Sequence, residues 1–318
     1  MKKSLLSFIG IISFFILSAC SVQTPSQVSD EQLQIVTTFP PLYSFVVNVV
    51  GDKAHVINLL PPGVSIHTWE PKPSDMRALS SADVLVMNGL ELEHFAENMI
   101  DAVGNPNLEI IVTSDAVQED LSESGGLIEL DPAAEEHDAD NDHEHGGMDP
   151  HIWLDPLLAV KQVKWIRDRL SAVTPENAGI YNRNASDYVA RLQTLDQNIK
   201  NQFAAVTFKP FIVFHDAYSY FLRRYGLMGY KKSAIEPFPG KEPSLVYFKG
   251  LVDLIRDYGV TLVFTEPQFS PKVVDSLQKE FNALRAYGLD PIGLEVSADA
   301  YEKALQKTAD TFVRAFFE

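Results

Sequence analysis

From Leu33 onward the chain twice alternates short runs rich in branched residues with longer helical patterns, and no other feature restricts its fold as strongly. In the first half, residues 34–38, 55–60, 83–88 and 109–113 are brief and apolar, and turn residues bound them, so they predict buried strands. Helices are expected over 42–50, 74–81 and 93–103. The pattern stops at Ser114 and resumes at Pro156 with an amphipathic helix to Val173. In the second half, strands are expected at 211–214, 232–235, 261–265 and 285–288, with helices at 217–225, 245–258, 271–281 and 298–317. Such alternation builds a mostly parallel sheet covered by helices.

Between the halves, Thr174-Pro175-Glu176 offers a helix cap, a proline for the first helical position and an acid for the first turn. No proline or glycine interrupts residues 180–206. A helix over 175–206 would span about 48 Å at ~1.5 Å per residue, more than the width of one lobe. The alternative is two helices with a kink near Gly179, which would barely shorten the strut. The expected fold is α/β: two Rossmann-like lobes, 33–173 and 207–318, joined by a long rigid linker helix over 174–206.

The N-terminus predicts an address rather than a fold. Lys2 and Lys3 precede an uncharged, mainly apolar run over 4–19, short of the ~20 residues a bilayer span needs but suited to a secretory signal. The run ends in Leu17-Ser18-Ala19-Cys20, which resembles a bacterial lipoprotein box, where the cysteine becomes the lipidated first residue; an ordinary signal peptide with a chance cysteine is the alternative. Residues 1–20 are thus expected to be a lipoprotein signal peptide and 21–32 a polar tether. The protein would be anchored through Cys20 on the extracytoplasmic side of the envelope. Cys20 is the only cysteine, so stability must come from packing without a disulfide.

Charge is concentrated in one place. The chain has 26 Lys+Arg against 43 Asp+Glu, a net −17, and residues 115–149 supply 13 of those excess negative charges without one Lys or Arg. The bulk is near neutral. With no basic stripe to meet a phosphate backbone, nucleic-acid binding is excluded as a leading reading.

Three of the eight histidines fall at the ends of predicted elements. His67 follows the strand ending at Leu60, His151 closes the acidic loop of 114–149, and His215 lies where the strand 211–214 passes into a helix. In open α/β sheets ligands collect at the carboxyl ends of strands, so these positions can converge. Three imidazoles form a borderline-soft nitrogen set that suits zinc. Spacings of 84 and 64 residues make no motif, however, and a histidine taken singly is more often structural or on the surface. Asp290 holds the corresponding position after the last strand, where capping the following turn is its other reading.

The surrounding residues sharpen this. Pro62-Gly63-Val64-Ser65-Ile66-His67-Thr68-Trp69-Glu70-Pro71-Lys72-Pro73-Ser74-Asp75 resembles the first metal-ligand motif of cluster A-I solute-binding proteins, the zinc and manganese receptors of ABC importers. Asp149-Pro150-His151-Ile152-Trp153-Leu154-Asp155-Pro156 is similar to the second motif and Phe214-His215-Asp216-Ala217-Tyr218-Ser219-Tyr220-Phe221 to the third. Gly240-Lys241-Glu242-Pro243-Ser244, Phe264-Thr265-Glu266-Pro267-Gln268-Phe269-Ser270-Pro271-Lys272 and Leu289-Asp290-Pro291-Ile292-Gly293 extend the resemblance from Leu33 to the C-terminus.

The resemblance implies His67, His151 and His215 as metal ligands in an interlobe cleft, with Asp290 or a water as the fourth. It implies a lipoprotein that passes zinc to an ABC permease and its ATPase, with no catalytic residue; a monomer is expected. Manganese members usually place a glutamate where His215 stands, so histidine there favours zinc. Some zinc members carry an acid just before the first histidine; here that residue is Ile66. The acidic loop, with His137, His143 and His145 among Asp138, Asp140, Asp142 and Glu144, is another zinc-type trait and can hold metal weakly without folding, or can be a solvated face without function. The alternatives are a manganese or iron receptor of the same family, a structural adhesin, and an extracytoplasmic zinc hydrolase using Glu70 or Glu266 as base. No HExxH or nucleophile-elbow motif supports the last.

Overall fold

The structure, a computed structural model, describes residues 32–118, 126–130, 147–236 and 243–318. Four strands, Leu33–Thr37 (β1), Ala54–Asn58 (β2), Val84–Met87 (β3) and Glu109–Val112 (β4), form a parallel sheet of order β2-β1-β3-β4. Its register pairs Leu33 with Ala54, Val36 with Leu85 and Val84 with Glu109. The central strands are apolar along most of their length because helices cover both faces. Those helices are Pro40–Val50 (α1), Pro73–Ser80 (α2), His94–Val103 (α3), Asp115–Gln118 (α4) and Pro156–Val173 (α5). Proline opens α1, α2 and α5, where its missing N–H costs nothing. At α5, Asp155 also caps by accepting from the Leu157 N–H at 2.8 Å.

The second sheet repeats the plan. Phe211–His215 (β5), Lys231–Glu236 (β6), Leu262–Thr265 (β7) and Arg285–Gly288 (β8) are parallel in the order β6-β5-β7-β8. Between the sheets runs Ala178–Phe203 (α6); the other helices are Ser219–Arg224 (α7), Leu245–Tyr258 (α8), Lys272–Glu280 (α9) and Ala300–Phe317 (α10). In each sheet the strand order reverses beside its first strand, between β1 and β3 and between β5 and β7, which is where open α/β sheets hold ligands. No helix among the described residues is long and apolar enough to cross a membrane.

Three local expectations are corrected. The long helix, expected over 175–206, is shorter: a 3-10 turn, Pro175–Asn177, precedes Ala178–Phe203, whose 26 residues span about 39 Å and run unbroken through Gly179, as the single-helix reading expects. Thr174 does not cap it, because its hydroxyl donates back to the Leu170 carbonyl at 3.2 Å and meets the Tyr181 hydroxyl at 3.0 Å. Residues just after Ser114, expected to lie outside the pattern, form the single turn α4.

One apolar core serves both sheets. Val36, Val84 and Ile111 of the first and Phe211, Val213 and Phe264 of the second belong to the same buried cluster, with Tyr181, Tyr188, Leu192 and Ile199 of α6 between them. Asp196 of α6 takes a two-pronged ion pair from Arg224 of α7, at 2.8 and 2.5 Å, and accepts from the Tyr225 hydroxyl at 3.1 Å. A second tie leads from the segment before α10 to α1: Ser44 Oγ donates to the Ser297 carbonyl at 2.7 Å and accepts from the Tyr301 N–H at 3.3 Å, while Asn48 Nδ2 donates to the Ala298 carbonyl at 2.7 Å.

Candidate metal centre

Three chain segments bring one histidine each to the carboxyl edges of the sheets. Beyond β2, Pro61-Pro62-Gly63 prevents the strand from continuing; Gly63, at φ 75°, makes the left-handed turn that leads to half-buried His67. His151 follows Asp149-Pro150 and opens a 3-10 turn, Ile152–Leu154, whose Trp153 packs on Phe39 and donates to the Pro291 carbonyl at 2.7 Å. His215 is the last residue of β5, one position further into the strand than expected, and is paired in register with Glu236. His151 and His215 are buried.

The three rings converge. His67 Nε2 and His215 Nε2 each lie 3.3 Å from His151 Nε2, and donor atoms of all three lie within 4.8 Å of one another. Nitrogens bound tetrahedrally at about 2.0–2.1 Å from zinc stand roughly 3.3–3.4 Å apart, so both measured edges suit an ion between them. This is the one group of three or more candidate metal donors among the described residues.

Two buried carboxylates stand behind the rings. Asp149 Oδ1 accepts from the backbone N–H of His151 at 2.9 Å and faces its Nδ1 at 2.8 Å; Glu266 Oε1 faces His215 Nδ1 at 2.8 Å. A carboxylate there selects the tautomer with its proton on Nδ1 and turns the Nε2 lone pair toward the cluster. Burial, reinforced by neighbouring His215, holds His151 well below the usual histidine range, so its imidazole is neutral. Burial works the same way on His215, but the charge and hydrogen bond of Glu266, with Asp216 and Asp149 beyond, outweigh it and raise that ring. Burial pushes the Asp149 carboxyl up to about 7 against the hydrogen bond from the His151 backbone. The Tyr220 hydroxyl fixes the segment by donating to the Asp149 carbonyl at 2.8 Å, and Asn88 Nδ2 by donating to the Pro150 carbonyl at 2.9 Å.

Not every candidate joins the cluster. Asp290 is engaged elsewhere: its Oδ1 accepts from Gln268 Nε2 at 3.0 Å and from the backbone N–H groups of Ile292 and Gly293 at 3.1 and 2.9 Å. Cys20, His137, His143 and His145 lie outside the described residues. Glu70 is exposed, and Glu266, the other base considered for a hydrolase, is committed to His215. The orienting roles of Asp149 and Glu266 were missed from sequence. Both lie inside stretches that carry the family resemblance, and Asp149 is also only two residues before His151, which was a usable signal; Glu266 is 51 residues from His215, and the adjacency of β5 and β7 is what pairs the two.

Residues 35–315 match the family described as zinc-uptake complex component A, periplasmic. A high-affinity zinc uptake system protein from Bacillus subtilis is 32% identical over 282 residues, 87% of this chain and 85% of the relative. A manganese-binding lipoprotein from Halalkalibacterium halodurans is 30% identical over 323 residues, 98% of each chain. Among solved structures, the SBP FpvC from Pseudomonas aeruginosa in complex with Mn2+ superposes with a TM-score of 0.77 at 31% identity, covering 90% of this chain and 99% of that one.

Proposed function

Because the chain belongs to the periplasmic zinc-uptake component family, whose members bind a solute and are not enzymes, we propose that it captures zinc outside the cytoplasm and delivers it to the permease and ATPase of an ABC-type importer. His67, His151 and His215 ligate the ion through Nε2, with a water in the fourth position. The observation that carries this reading is the pair of 3.3 Å Nε2 separations, each anchored at His151, with carboxylates bonded behind two of the rings. Zinc is favoured over manganese because the third donor is an imidazole and, among the described residues, no carboxylate oxygen belongs to the cluster. In this reading 33–173 and 207–318 act as lobes joined by a linker over 174–206, the monomer is tethered through lipidated Cys20, and the acidic loop with His137, His143 and His145 is an auxiliary weak metal site.

The test is metal content. The soluble chain from Ser21, stripped of metal and exposed to equal zinc and manganese, should retain one zinc per chain and little manganese. Preferential retention of manganese would replace the zinc reading with the one that the manganese-binding relative favours. Retention of neither would remove the transport reading altogether.

A further inference from the structure

Asp290, a half-buried carboxylate near the metal site, is held in an unusual way. All three of its hydrogen bonds fall on Oδ1, from Gln268 Nε2 and from the Ile292 and Gly293 N–H groups. Its Oδ2 is buried with no hydrogen-bond partner, a state that costs free energy and that a cation would relieve. Gln268 lies two residues beyond Glu266 on the loop leaving β7, and it lines the small cavity onto which the three histidines open. Asp290 is not among the residues lining that cavity; it lines an adjoining cleft of about 670 Å³ toward α9 and α10, with Glu266 and Phe269 bordering both. The orientation of the amide follows from its partner. An oxygen already accepting two backbone N–H groups can face only the NH2 end of Gln268, so the amide Oε1 points away from Asp290, and it too is buried without a partner.

We propose that Gln268 is a selectivity determinant of the metal site: its amide, together with the two backbone N–H groups, pins Asp290 outside the coordination sphere and keeps the donor set to three imidazoles. This rests on the metal-binding reading above. A nitrogen-rich set of low coordination number suits zinc, whereas manganese gains from hard oxygens and additional ligands. An Asp290 free to turn would add a negative charge and a hard oxygen, which lifts manganese more than zinc. Of the three restraints, two are built into the backbone turn after β8. Only Gln268 contributes a side chain, and only Gln268 also borders the histidine cavity, so it is the restraint that sequence variation can remove.

The test uses the soluble chain and its Gln268→Leu, Gln268→Asn and Gln268→Leu/Asp290→Asn variants. Dissociation constants for zinc and manganese are measured by chelator competition, and visible absorption is recorded on the cobalt(II)-loaded forms, whose d–d bands weaken when coordination rises above four. Leucine removes the donor while keeping the volume, and asparagine keeps the amide but shortens its reach. Both single variants should lower the zinc-to-manganese affinity ratio by about tenfold, the scale of one hydrogen bond to a charged group, and weaken the cobalt bands. The double variant should restore the parent ratio, because the effect runs through the Asp290 carboxylate. A parent that binds zinc tightly while a folded Gln268→Leu or Gln268→Asn keeps the parent ratio overturns the pin alone, and so does a double variant that retains the single variant's shift. A parent that binds neither metal overturns the metal-site reading and the pin with it.

Discussion

A ligand histidine has two nitrogens, and the carboxylate behind it decides which one carries the lone pair. Asp149 and Glu266 make that choice for His151 and His215, so the two rings are oriented before an ion arrives. His151→Ala and His215→Ala should each weaken zinc binding by at least about 100-fold with the fold retained, since loss of a mere supporting partner typically costs 10–100-fold; calorimetry with circular dichroism on the same samples decides, and unchanged affinity in either variant removes that residue from the site. The pH dependence follows from the same contacts. A ligating imidazole must be neutral, and the His215 ring is raised while His151 is lowered, so His215 is the group that competes for protons first. Zinc affinity should fall on acidification, beginning above the usual histidine value of ~6.5 and approaching about tenfold per pH unit while one proton is displaced. Affinity that stays flat from neutrality to below that value would show that no histidine of this cluster binds the ion. The three ligand candidates were legible because motif residues surround each; the behaviour of Asp290 was not, since the amide that holds it comes from position 268 across a sheet edge.

At the scale of elements, the central strands β1, β3, β5 and β7 were conspicuous as short apolar runs, because a strand covered on both faces cannot hide its composition, whereas the edge strands β6 and β8, KKSAIE and RAYG, carry little of that signal. What could not be read was which of several available partners a side chain takes. The helix preceding the long strut draws Thr174 back to Leu170, away from the cap its type suggested. After β3, Gly89, Leu90 and Glu91 all adopt left-handed backbone, two of them non-glycine, and buried Glu93 braces the turn by accepting from the Asn88 and Gly89 N–H groups and from Thr38. Nothing local announces it. Element geometry also yields two predictions. The ends of the acidic loop are already joined, with the Leu130 N–H on the Gly147 carbonyl at 2.7 Å and the Asp149 N–H on the Ile128 carbonyl at 2.8 Å, so a short turn can replace what lies between. Deleting residues 135–146 should therefore leave tight zinc affinity within about twofold while reducing the number of weak sites, two quantities that calorimetry separates; its test fails if the tight affinity collapses, which would make a loop histidine a primary ligand. Asp196→Ala should destabilise the fold by about 2–3 kcal/mol in urea, because it strands the half-buried Arg224 guanidinium and the Tyr225 hydroxyl. A loss below about 0.5 kcal/mol would mean that the pair merely decorates the junction of α6 and α7.

Over the whole molecule, two parallel sheets of the same order face one another across a shared core, and the strut is not their only connection. Sequence revealed the strut because an uninterrupted helical run is conspicuous. It did not reveal the clasp of Ser44 and Asn48 on residues 297–301, whose partners are more than 240 positions apart. The Tyr301 hydroxyl adds a bond to the Trp153 carbonyl at 2.7 Å, placing the clasp next to the His151 segment. With a continuous apolar core and two polar ties, a wide hinge opening would expose buried surface and break several hydrogen bonds at once, so zinc should stiffen the cleft rather than swing it shut. Since His67 and His151 come from loops of the first sheet and His215 from the second, the ion would crosslink the two halves. At a free zinc concentration 100 times its Kd, mass action adds about 2.7 kcal/mol of stability, which for a chain of this size raises Tm by roughly 5 °C. Scattering should record the same radius of gyration with zinc and with chelator, within measurement error. Ser44→Ala/Asn48→Ala removes the clasp without touching a ligand, and in that variant the chelated form should become more expanded and zinc should now compact it. If the parent itself compacts strongly on zinc, the strut and clasp do not restrain the lobes. If Tm does not move in the parent, zinc has no preference for the folded state, and the three imidazoles are not its site.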